Sequence, residues 1–257
     1  MTELDQPIPR VDDPDWTHVS QIPVVECEEP LCTLRLAPAL RVYPAYLHLG
    51  IPDAVTDCHV RTGVFERLLE ASALLPDGHV LVILDGWRPL SVQQHLYRTL
   101  ESTISQHHPL ADPDTLERLT RQFVAPPSAN PQAPSPHLTG GAVDVTLCDA
   151  QGRLLDMGSR FDEVGPRSFT AHYELSEATS ESELRARHNR RTLHRAMTAA
   201  GFSNLPSEWW HYDFGNQLWA WHTGRPSACY GPTELPRLEG QWHQQLAERF
   251  GISPHSN

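Results

Sequence analysis

The chain has 257 residues, 39% hydrophobic and 20% charged, enough to bury a full core in one large domain or two small ones. Lys and Arg number 20 against 32 Asp and Glu, a net charge of -12, which argues against nucleic acid or an anionic membrane as partner. No apolar run approaches the roughly 18 residues of a membrane span, and the five cysteines contain no C-x-x-C pair.

Residues 1–42, rich in proline and acidic groups and without periodicity, read as an irregular arm lying over the body. The stretch Met1 to Trp16 is polar and acidic, with neither a basic start nor an apolar core. No export signal is expected, and free thiols in the cytoplasm are the simplest account of the cysteines. Tyr43 to Gly50 reads as extended or loop. From Thr62 the spacing of Val64, Leu68, Ala71 and Leu75 predicts a helix that Pro76-Asp77-Gly78 stops. His79 to Leu84 is a short apolar run bounded by glycines and suits a buried strand. It delivers Asp85-Gly86-Trp87-Arg88-Pro89, after which Val92, Leu96 and Leu100 form the inward stripe of a second helix begun by Pro89.

A short helical pattern (Leu116, Leu119, Phe123) and a proline-rich loop lead to Ser135-Pro136-His137. The Gly140-Gly141 pair then permits a tight reversal, read as a hairpin whose second strand carries Asp144. Ser182 to Ala200 is the clearest helix, stopped by Gly201. Glu208 to Phe214 is aromatic and alternating, as a strand is. An amphipathic stretch from Leu238 to Phe250 ends the pattern. Scattered strands and helices without regular βαβ alternation predict one α+β domain.

The chemistry concentrates in two of these segments. A hydrolytic zinc site uses three protein ligands and leaves one position for water; His137, Asp144 and His211 supply two imidazoles and one carboxylate. Such a site brings the pKa of bound water from about 15.7 to near 7. Glu208, three residues before His211, is the candidate general base. A regular strand would turn those two side chains to opposite faces, so Glu208 must lie at a bulge or in the turn before the strand. Arg88, at a strand end, is the candidate donor to an oxyanion, or a partner for Asp85. Histidines such as His107, His108, His194 and His243 read as surface or hydrogen-bonded residues, and Trp209, Trp210 and Trp219 as core.

The ordered set of D-G-W-R-P after a strand, S-x-H-x-x-G-x-A-x-D, and E-W-W-H resembles the zinc D-alanyl-D-alanine dipeptidases. That family, which includes the vancomycin-resistance type, shares a fold with the hedgehog signalling domain. The likeness runs from about Tyr43 to Phe214 and includes Met157 to Asp162 and Asn189-Arg190-Arg191. It implies an antiparallel central sheet flanked by helices and a dipeptidase domain over 43–257, with an extension from about 231. It implies one zinc per chain held by His137, Asp144 and His211, Glu208 as base and Arg88 as transition-state stabiliser. The implied substrate is a small D,D-dipeptide, met by Asp162 and Tyr43 at its amino group and by Ser135 at its carboxylate. A structural pairing of Asp162 with Arg160 or Arg167 is the competing reading. The rivals for the whole are a peptidoglycan D,D-carboxypeptidase or endopeptidase, and a silent zinc-binding recognition domain of the same fold.

Overall fold

The computed structural model describes residues 6–175, 180–236 and 238–250; the first five residues of the expected arm and the last seven of the tail lie outside that range. In chain order the elements are α1 (Trp16–Val19), β1 (Leu31–Thr33), β2 (Leu40–Val42), α2 (Ala45–His48), β3 (His59–Arg61), α3 (Thr62–Ala73), β4 (His79–Asp85), α4 (Leu90–His107) and α5 (Pro113–Arg121). After a 3-10 turn at Pro136–Thr139 come β5 (Ala142–Asp149), a second 3-10 turn at Pro166–Ser168, α6 (His172–Leu175), α7 (Glu181–Ala199), β6 (Ser203–Asn204), β7 (His211–Asp213), α8 (Gln217–Thr223) and α9 (Leu238–Phe250).

Local chemistry accounts for several boundaries. The predicted stripe of α3 buries Val64, Leu68 and Ala71 completely. Ser180 and Glu183 close a capping box at the start of α7, satisfying two amides that the helix leaves open. Asp112 caps α5, with Pro113 occupying the first turn, where its missing N–H is no loss.

Five strands form the main sheet in the order β2-β4-β5-β7-β6, and β1 pairs with β3 in a separate ribbon. The β4–β5, β5–β7 and β6–β7 pairings are antiparallel, whereas β2 runs parallel to β4. The sheet is thus mixed at one edge. The arm is also more ordered than its composition implies: β2 is an edge strand of the main sheet, and Tyr43 to Gly50 contains α2 rather than a loop. Hydrogen bonding to β4, distant in sequence, organises β2, and no local periodicity announces it.

Alternation along β5 divides the molecule. Val143, Val145 and Leu147 enter the main core with Leu68 of α3 and Leu193 and Met197 of α7. Asp144, Thr146 and Cys148 take the opposite face, where Ala45, Val82 and Leu84 pack around Cys148. Polar chemistry collects on that second face.

Candidate metal centre

Three neighbouring strands bring one row of residues into line. Asp144 on β5 pairs across the sheet with His211 on β7 and with Asp85 on β4, where the register shifts between Ile83 and Asp85. Directly opposed residues have Cβ atoms roughly 5 Å apart, so Asp144 and His211 meet without any loop needing to fold over. His137 arrives differently from the expected hairpin. It sits in the 3-10 turn Pro136–Thr139, and Gly140, at φ 70°, ends that turn and feeds β5. A left-handed glycine serves a helix stop as well as a hairpin, which is why the sequence pattern fits both.

His137 Nε2 lies 3.2 Å from His211 Nδ1, His211 Nδ1 lies 3.2 Å from Asp144 Oδ1, and His137 Nε2 lies 3.4 Å from the same oxygen. Ligand atoms about 2.0–2.2 Å from a tetrahedral zinc stand about 3.3–3.6 Å apart. The triangle therefore has the dimensions of one face of such a site, and its donors are those zinc takes. Among the described residues, it is this set that could hold a metal ion.

The ring orientations agree with that use. His137 Nδ1 is 2.8 Å from the carbonyl of Gly86, which can only accept, so Nδ1 carries the proton and Nε2 keeps its lone pair. His211 Nε2 lies 3.1 Å, at an oblique angle, from Asp213 Oδ2, leaving Nδ1 to face the triangle. Asp213 is fully buried, and its other oxygen accepts a bond from Asn216 Nδ2 at 2.6 Å. Burial opposes a charge on His211, yet Asp213 and Asp144 on either side hold its pKa well above the ordinary value. Burial likewise works to raise Asp144, but His137 and His211 overcome it and hold that carboxylate well below the usual range.

Glu208 lies in the turn before β7, its amide bonded to the carbonyl of Leu205 and its own carbonyl accepting from His211 N–H. This turn lets residues three apart share a side: Glu208 Oε2 is 3.9 Å from His211 Nδ1. Burial pushes the Glu208 carboxyl up to about 8.

Arg88 is buried and held from four directions. Nε donates to Asp85 at 2.7 Å and Nη1 to Gln93 at 2.7 Å; Nη2 donates to Tyr46 Oη at 3.3 Å and to Asp144 Oδ2 at 3.1 Å. A guanidinium has five N–H groups, which leaves one on Nη1. The pairing with Asp85 and a place beside the ligand cluster are therefore both realised.

Asp162 holds a left-handed backbone at φ 59°. It pairs with neither Arg160 nor Arg167; Arg167 goes to Glu163 at 2.7 Å. Arg88 and Tyr46 instead lie close enough to favour its charged form. It is open to solvent yet walled by protein on its other sides, and burial raises its carboxyl to about 6. Tyr43 lies elsewhere: it is 47% exposed and stacks on His48 at 4.2 Å, while Tyr46, one turn on, faces Arg88. Ser135 is buried with its hydroxyl engaged, accepting from Ser128 N–H and donating to the Pro126 carbonyl.

A cavity of about 870 Å³ is lined by Arg88, Ser135, His137, Asp144, Asp162 and Glu208, together with surrounding residues. Asp85, Asp144, Asp162 and Glu208 lie around the Arg88 guanidinium in or behind this wall. Asp213, Tyr46 and Gln93 were not foreseen from sequence. The H-x-D spacing on a strand, which puts His211 and Asp213 on one face, is the signal that could have found Asp213.

An α+β domain with a three-ligand cation site, a neighbouring carboxylate and a buried arginine is the arrangement of a metal-dependent hydrolase. Comparison with known proteins narrows this. The family model described as D-ala-D-ala dipeptidase, of the M15 peptidases, matches residues 53–228. A D-alanyl-D-alanine dipeptidase of Synechocystis sp. is 34% identical over 217 residues, covering 78% of this chain and 87% of that protein. One from Escherichia coli K12 is 35% identical over 136 residues, covering 53% and 55% respectively, and one from Enterococcus faecalis is 30% identical over 151 residues, covering 57% and 66%. The chain belongs to the D-Ala-D-Ala dipeptidase family of M15 peptidases.

Proposed function

We propose that this protein is a zinc dipeptidase that hydrolyses D-alanyl-D-alanine, or a close D,D-dipeptide, to free amino acids. The observation carrying this reading is the triangle of His137 Nε2, Asp144 Oδ1 and His211 Nδ1 with Glu208 Oε2 3.9 Å from one corner. Zinc held by that triangle supplies Lewis acidity toward a peptide carbonyl and toward water. Glu208 takes the proton of the attacking water and returns it to the departing amine. The remaining Nη1–H of Arg88 meets the developing oxyanion, and its four fixed bonds mean that no reorganisation is needed at that moment.

Asp162, beside Tyr46 and Arg88, takes the ammonium group of the dipeptide. Tyr46 replaces Tyr43 in that role, because it lines the cavity and Tyr43 does not. Ser135 keeps the loop before His137 in place, its hydroxyl spanning Ser128 and Pro126. A cytoplasmic setting, where free dipeptide is the substrate at hand, fits the free state of all five cysteines. Among the described residues no helix is long and apolar enough to cross a membrane.

The test is release of free alanine by purified, zinc-loaded protein from D-Ala-D-Ala, N-acetyl-D-Ala-D-Ala and L-Ala-L-Ala. Cleavage of the free D,D-dipeptide at least about 100-fold faster than the acetylated one is expected, since acetylation removes the ammonium charge that Asp162 pairs with. Equal rates would favour the carboxypeptidase reading; no release from any D,D substrate would end the assignment. Glu208→Ala should retain zinc and lose about 10²–10⁴-fold in turnover.

A further inference from the structure

Asn189-Arg190-Arg191 on α7 takes no part in the chemistry above, yet Arg190 is the largest of the fully buried side chains, 2% exposed. A buried arginine ordinarily faces a carboxylate. Arg190 faces carbonyls instead: Nε donates to Met157 O at 2.7 Å, Nη1 to Phe169 O at 2.6 Å and Nη2 to Arg167 O at 2.6 Å, with Ser159 Oγ at 3.3 Å. Its guanidinium also lies against the rings of Tyr173 and Trp209. An apolar residue would fill this space without the desolvation penalty that lowers its pKa to about 10. What a rigid fork alone does is tie together carbonyls arriving from both ends of one loop.

That loop carries Asp162. Its left-handed aspartate is a strained backbone position that persists only where the surroundings over-determine it. Asn189 Nδ2 holds the loop's start through Asp156 O at 2.8 Å, and Arg191 reaches Glu174 beyond its end. Ser159 Oγ, bonded by Arg190, also accepts from Trp209 Nε1 at 2.9 Å, and Ser168 O accepts from Trp209 N–H at 2.9 Å. Arg190 thus ties the Asp162 loop to the turn that presents Glu208.

We propose that Arg190 is a positioning residue for substrate selection: by pinning both ends of the 157–169 loop it sets Asp162 at the distance from Glu208 and Arg88 that fits the amino end of a dipeptide. This rests on the reading of Asp162 as the ammonium site.

The experiment is a double-mutant cycle of Arg190→Met with Asp162→Asn in zinc-loaded protein, reading kcat, KM and zinc content on D-Ala-D-Ala. Arg190→Met is expected to raise KM about tenfold or more with kcat within about threefold and zinc unchanged, to be partly rescued by Arg190→Lys, and to add little in the Asp162→Asn background. An unchanged KM, or effects that simply multiply, would overturn the proposal. If Arg190→Met does not fold, Ser159→Ala and Asn189→Ala each remove one tether and should raise KM a few-fold without zinc loss; wild-type KM in both would overturn it equally. Failure of the wild-type protein to cleave D-Ala-D-Ala would instead overturn the substrate reading. The tether is then judged by amide exchange over 157–169, where no change on Arg190→Met would refute it.

Discussion

His211 Nε2 lies 3.1 Å from Asp213 Oδ2 while its Nδ1 lies 3.2 Å from Asp144 Oδ1, so one imidazole spans two buried carboxylates. Residues i and i+2 of a strand share a face, and β7 needs no other device to put Asp213 behind its histidine. The negative charge there raises the basicity of the ring and so strengthens Nδ1 as a metal ligand. Asp213→Ala is therefore expected to lower zinc affinity about 10–100-fold, with the fold retained. Competition against a chelator of known affinity measures it, and wild-type affinity would mean that Asp213 does not orient His211.

Arg88 answers to two demands at once, oxyanion contact and neutralisation of Asp85 and Asp144. Arg88→Ala removes both, and stripping one partner from a buried ion cluster destabilises by roughly 3–5 kcal/mol. Arg88→Lys keeps a charge but loses the fork, so it separates the two. The expectation is a modest loss of melting temperature for the lysine variant, a large one for alanine, and a fall in kcat of about 10²–10³ for both. A lysine variant with wild-type kcat would remove Arg88 from the oxyanion role.

How much of this was legible follows from where the information lies. β4, α3 and α7 announce themselves because apolar spacing and stop signals are local: Val64, Leu68 and Ala71 are one helical face whatever else the chain does. The three candidate metal ligands stand in an ordered set of motifs, and the fold brings their side chains together. What was not legible depends on partners far along the chain. β2 is three residues that become a strand because β4 lies beside them. The choice between Tyr43 and Tyr46 turns on the four-residue helix α2, which has no side-chain cap and too few residues for a periodic signal. The Gly140-Gly141 pair announces a reversal, but dihedral freedom alone does not say that a 3-10 turn rather than a strand precedes it.

Asp162 gives the site a pH dependence whose sign can be worked out. Arg88 and the Tyr46 hydroxyl favour its charged form, while burial and the neighbouring Asp144 and Asp85 oppose it; burial dominates and the carboxyl rises to about 6. Glu208, raised to about 8 in the same cavity, is already mostly protonated near that pH, so its own loss as a base is a separate fall at higher pH. Below about pH 6 Asp162 is neutral and offers an ammonium group no countercharge, so kcat/KM for D-Ala-D-Ala should fall by up to about tenfold per pH unit in the acid limb. Asp162→Asn should flatten that limb and reduce discrimination between free and acetylated dipeptide. An acid limb unchanged in the variant would assign it to another group.

His194, on α7 and remote from the ligand cluster, offers a stability prediction free of the metal. Burial, aided by neighbouring Arg195 and opposed by Glu174, lowers its pKa from 6.5 to about 4. Above pH 6.5 it is neutral in both folded and unfolded chains and contributes no pH dependence. As pH falls from 6.5 toward 4 the unfolded chain takes a proton that the folded one refuses, so the stability it supports is progressively lost. The full difference corresponds to as much as about 3 kcal/mol. His194→Gln should therefore lose less melting temperature than the parent between pH 7 and 4, while the two converge in slope above pH 7. Parallel melting curves across the acid range would show that the ring is solvated and that its burial has no energetic consequence.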